Sequence, residues 1–158
     1  MPFPVARMDR PPLHVLVREL AASERFQALA ADLPTRARVS EPALPLVLSA
    51  LHDHAGTPLV VLLPEDADAR DAAEALAWYL GEERVAYLPS RGVRWESGLA
   101  PAPHLVGERA RALDVLALGG LVCISAMAFA EGMPPRDQRP ARLDLRVGDE
   151  PGIDLLAE

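Results

Sequence analysis

The chain has 158 residues, half of them apolar, enough for one ordinary core and too few for a second complete domain. Its 16 basic residues, all arginine, face 23 acidic ones, and the resulting formal charge of −7 excludes a free-standing nucleic-acid clamp, because neutralising phosphates needs a cationic surplus. The single cysteine, Cys123, can form neither an internal disulfide nor a Cys-x-x-Cys metal pair, and no run approaches the roughly 20 apolar residues of a membrane span.

The opening MPFPVARMDRPP lacks the apolar centre of a signal peptide, so a reduced, cytoplasmic setting is expected. Two packing helices come first, over residues 1–34 as a unit. Pro11 and Pro12 stand at a helix start, and Leu13, Leu16, Val17 and Leu20 form an apolar stripe at helical spacing. His14 beside that stripe reads as a boundary residue. Ser23 reads as the cap of a second helix that turns Phe26, Leu29 and Ala30 inward before Pro34.

An α/β lobe is expected over residues 35–132. A first strand is expected around Thr35 to Val39, followed by a helix from Leu44 to Ala55. The turn between them reads Ser40-Glu41-Pro42-Ala43-Leu44-Pro45. A phosphate-cradling loop needs glycines to aim successive N–H groups inward, a lysine for the phosphates and a hydroxyl for the metal. This turn has neither glycine nor lysine, Pro42 and Pro45 each remove a donor, and Glu41 puts a negative charge where an anion would sit. It should hold no nucleotide, and Ser40 is expected to cap the helix instead.

Leu59 to Leu63 is an unbroken apolar run, the pattern of a parallel strand covered on both faces. Glu65, Asp66 and Asp68 then open a helix with Ala69, Ala72, Ala73, Leu76 and Leu80 on one side, closed by Gly81. Three carboxylates at a strand end could hold magnesium, and they equally suit the positive end of a helix dipole. Val85 to Leu88 and Leu121 to Ser125 complete the strands. Between them lie the loop Ser90 to Ala102 and a helix opened by Pro103, with Val106, Ala110, Leu113 and Ala117 expected on the sheet and Glu108, Arg109 and Arg111 toward solvent or a neighbouring domain. The alternation implies a doubly wound, mostly parallel sheet with helices on both faces. Ligands meet such sheets at the carboxyl ends of the strands. The long loop there carries Arg91, Arg94, Trp95 and Glu96, a cation and aromatic pairing that could contact nucleic acid or a protein. Cys123 reads as a small buried hydrophobe, and Ser125 as the cap of a short helix ending at Gly132.

Residues 133–141 are a proline-rich linker, and Leu143, Leu145 and Val147 then alternate with polar residues before Gly148 and Asp149. From about Val39 onward the order of pieces is LVVLLPEDADA, the Trp95 loop, GERARAL, LVCIS with a short helix, the proline-rich connector and LDLRVGDE. This series resembles the N-terminal, UvrB-like module of the bacterial transcription-repair coupling factors (Mfd). The resemblance implies a helicase-like lobe with a degenerate P-loop, non-catalytic in itself, at the front of an ATP-dependent DNA translocase. In the intact family member ATP and magnesium serve a downstream motor, and further domains engage stalled RNA polymerase and double-stranded DNA. Residues 142–158 match the start of the domain that docks onto UvrA. The sequence therefore reads as a truncated front end that needs no cofactor of its own.

Two other functions fit the residues. One is a small metal-dependent α/β enzyme built on Asp66 and Asp68, with Glu65 beside them; the other is a weak single-strand nucleic-acid binder using Arg91, Arg94 and Trp95.

Overall fold

The computed structural model describes residues 11–133 together with Pro135, Val147 and Gly148. Among the described residues six helices and three strands follow one another: α1 (His14–Ala21), α2 (Glu24–Ala31), α3 (Leu44–Ala55), β1 (Leu59–Leu63), α4 (Asp66–Leu80), β2 (Val85–Leu88), α5 (Pro103–Ala117), β3 (Leu121–Ser125) and α6 (Ala126–Ala130). Among the described residues, and apart from the segment at Thr35 to Val39, the expected elements form where the periodicity places them. Ser23 accepts the Phe26 N–H at 3.3 Å and caps α2. Ser125 accepts the Ala128 N–H at 3.0 Å and caps α6.

The three strands are all parallel and lie in the order β1-β3-β2. From β1 the chain passes over β3 to reach β2 and then steps back, so two right-handed crossovers must place their helices on opposite faces. The packing agrees. Odd-numbered strand residues, among them Val85, Leu121 and Cys123, pack with Ala69, Ala73, Leu76 and Leu80 of α4. Even-numbered ones, Ala86, Leu88, Val122 and Ile124, pack with Ala112 and Val115 of α5 and Ala128 of α6. A satellite core of Val17, Phe26 and Ala50 joins the two N-terminal helices to α3, and Tyr79 bridges it to the α4 face.

Three expectations are corrected. Thr35 to Val39 form no strand; the segment is irregular and mostly exposed, because Arg36 and Arg38 alternate with small residues and offer no apolar face. Strand β1 is not covered on both sides, since Val60 is 49 % and Leu62 57 % exposed. They point to the face that α5 covers only over β2 and β3. On α5 the buried stripe is Ala112 and Val115 flanked by half-buried Leu105, Arg109, Leu113 and Leu116, while Val106, Ala110 and Ala117 are exposed. Arg109 sits within that stripe, and a charged residue there displaced the apparent period.

Gly120 is where α5 meets the sheet most closely. A β-carbon on it would stand 2.7 Å from the Arg84 carbonyl and 2.9 Å from that of Val115. Val147 and Gly148 lie in a turn with both exposed; the rest of LDLRVGDE and most of the linker fall outside the described residues. Among the described residues no helix is long and apolar enough to cross a membrane.

Candidate functional site at the carboxyl ends of the strands

In an open parallel sheet the natural crevice lies between adjacent strands whose outgoing connections part to opposite faces. Here those strands are β1, which leads into α4, and β3, which leads into α6 on the other face. Each of the three strands ends in or beside a polar residue, and these meet: Asp66 after β1, Ser90 after β2 and Ser125 at the end of β3.

Asp66 is the first residue of α4, where exposed N–H groups and the helix dipole favour a negative charge. Its carboxylate accepts the Ser90 hydroxyl at 2.5 Å and the Ser90 N–H at 3.3 Å. The nearby Ser125 and Tyr87 hydroxyls also favour its charged form. Partial burial opposes its charge, yet the bonds from Ser125, Ser90 and Tyr87 outweigh that and hold the acid below the usual carboxylate range. Tyr87 responds in the opposite sense. Burial first and the Asp66 charge second push its phenol up to about 12.

A second group closes the same end from the α5 side. Arg109 donates to the Pro89 carbonyl at 2.6 Å, to Glu131 Oε2 at 3.3 Å and to the Gly132 carbonyl at 2.9 Å. The Arg91 N–H donates to the same Glu131 oxygen at 2.7 Å. Burial, with the Arg91 cation adding to it, draws the Arg109 pKa below its ordinary value against the pull of Glu131 and Asp66. Arg109 is therefore largely buried, and not turned toward solvent as its place in the sequence implied; it ties the segment after β2 to the segment after α6.

The structure brings Arg91, Arg109 and Asp66 to one end of the sheet and leaves the other predicted residues apart. Arg94 and Glu96 are exposed on the loop, whose residues Trp95–Ser97 form one 3-10 turn. Arg111 stands near the start of β2, donating to the Glu82 carbonyl and, at 3.1 Å, to that of Val85. Glu65 and Asp68 are exposed, and among the described residues no three His, Cys, Asp or Glu side chains are grouped to hold a metal.

The turn Ser40 to Pro45 is a 3-10 turn at Glu41–Ala43 running into α3. The Ser40 side chain caps nothing, contrary to expectation; its carbonyl accepts the Ala43 N–H at 2.9 Å, and Ala43 holds the cap position of α3. With no strand before it, this turn does not stand at a sheet end. Its residues do not fit a triphosphate. The donors a phosphate requires are missing, and Glu41 repels it.

No known protein family, curated protein or solved structure matches the chain. Sequence reasoning missed the part played by Ser90, Tyr87 and Glu131, and it missed a second polar cluster near the amino ends of β2 and β3. There His52, 3 % exposed, bonds the Gly119 carbonyl at 2.9 Å, and Asp53 pairs with Arg84 at 2.9 Å. Cys123 is fully buried, and burial pushes its thiol up to about 12, so it offers no thiolate nucleophile at neutral pH.

Proposed function

We propose that this chain is a non-catalytic scaffolding lobe of the transcription-repair coupling kind, a helicase-like domain whose nucleotide crevice has become an internal clasp. One observation carries the reading: Ser90 gives both its hydroxyl, at 2.5 Å, and its N–H, at 3.3 Å, to the Asp66 carboxylate at the carboxyl ends of the strands. A phosphate approaching that crevice meets a carboxylate whose donors are already engaged, and the arginine behind it is held by protein carbonyls and Glu131. Positions able to supply chemistry supply rigidity instead. The order of strand, helix, strand, long loop, helix and strand shared with the UvrB-like module supports the same reading. Under it, UvrA, RNA polymerase and duplex DNA are engaged through the wider protein, whose motor would use ATP and magnesium.

Two measurements test it. A fluorescent ATP analogue with magnesium should show no saturable binding to the chain; saturable binding that Asp66→Asn alters would overturn the proposal. Deleting codons 11–133 in the cell should abolish preferential repair of the transcribed strand after ultraviolet damage while leaving overall excision intact. An unchanged strand preference would equally defeat it.

A further inference from the structure

The outer edge of β2 borders a cleft of about 670 Å³ between α4 and α5. The Leu121 N–H bonds the Arg84 carbonyl, so alternation along β2 turns the backbones of Val85 and Tyr87 away from β3, toward the cleft. Its walls carry Glu74, Glu82, Glu83 and Glu108, and among the described residues none of the four is paired with an arginine. Two arginines also reach the cleft, and both already hold partners other than these four carboxylates. Arg111 bonds the Glu82 and Val85 carbonyls, and Arg70 bonds Asp71. Trp78, one helical turn after Glu74, presents its ring to the same space at 62 % exposure.

We propose that this cleft docks an extended, arginine-bearing peptide segment of a partner protein. Four carboxylates against two engaged guanidiniums leave the cleft negative, which attracts a cationic segment and repels a nucleic acid. The exposed tryptophan supplies the flat face on which a guanidinium stacks. An extended chain sends alternate side chains the same way, so arginines two positions apart can meet the Glu82 and Glu83 end and the Trp78 face together. Arg111, seated on the Val85 carbonyl, guards this edge from indiscriminate strand pairing and leaves the Tyr87 end open. The inference is independent of the scaffolding role proposed above.

The test uses Trp78 as its reporter in a Trp95→Phe background. A short capped peptide alternating arginine and valine should change its fluorescence saturably, with affinity falling as salt rises, whereas the glutamate-for-arginine peptide should not. The double substitution Glu82→Gln and Glu83→Gln should weaken binding about fivefold or more with the circular dichroism spectrum unchanged. Trp78→Ala, followed by calorimetry, should weaken it comparably. An equal response to the acidic peptide, an affinity indifferent to the glutamate substitutions, or self-association of the chain through this face in place of peptide binding would overturn the proposal.

Discussion

The Arg84 guanidinium stands 3.3 Å from Nδ1 of His52, and that contact settles which ring nitrogen carries the proton. A guanidinium only donates, so Nδ1 accepts; the Gly119 carbonyl only accepts, so Nε2, 2.9 Å away, donates. Asp53 Oδ1, at 3.6 Å from Nδ1, is too distant to claim that nitrogen and bonds Arg84 instead. The buried ring thereby links α3 to the turn before β3. His52→Ala removes both the bond and the packing and should cost about 2–3 kcal/mol in urea denaturation. Arg84→Gln, which loses a partly exposed ion pair, should cost under about 1 kcal/mol.

Asp66 should contribute to acid sensitivity. Its folded pKa is depressed, so its contribution is fully present above the unfolded value of 3.8 and disappears as pH falls through the lower folded one. Thermal melts should therefore be level with respect to this group from pH 7 to about 5 and decline below about pH 4. Asp66→Asn should flatten that decline and lower stability at pH 7 by about 1–2 kcal/mol.

Arg109 of α5 and Arg94 of the long loop should separate cleanly. Arg109→Ala leaves the Pro89 and Gly132 carbonyls without their guanidinium donor and the half-buried Glu131 with only the Arg91 N–H, at a cost of about 2–4 kcal/mol. Arg94→Ala changes an exposed side chain and should stay within about 0.5 kcal/mol. Urea midpoints with unchanged slopes would verify both.

Gly120→Ala should destabilise by about 1–3 kcal/mol, because the added methyl meets two backbone carbonyls that cannot retreat as a side chain can. Gly98→Ala is the informative comparison. That glycine has open space around it but a φ of 68°, so its penalty comes from backbone conformation alone, about 1 kcal/mol. Equal effects on the unfolding rate from the two would contradict the crowding argument.

Strands were legible wherever apolar residues ran unbroken between turn signals, as at Leu59–Leu63 and Leu121–Ser125. The α4 face was legible too, since Ala69, Ala73, Leu76 and Leu80 repeat at helical spacing. Arg109 defeated the same method on α5: its alkyl stem occupies an inward position while its head reaches three acceptors, a pattern that reads as polar. The sequence order of Asp66, Ser90 and Ser125 carried a usable signal, one polar residue at each strand end. Their convergence depends on the spatial order of strands, which local periodicity does not encode. Thr35 to Val39 failed for the converse reason, a strand inferred from what should precede a phosphate loop and not from its own residues.

Because β3 lies between the other two strands yet is last of the three in the chain, neither β1 nor β2 has a neighbour until residues 121–125 arrive. A growing polypeptide on the ribosome must therefore carry β1 from residue 63 and β2 from residue 88 as apolar ribbons without a strand partner until residue 121 is made. Helix pairing among α1, α2 and α3 can proceed early, while the sheet assembles only as a late, single event that closes from its centre.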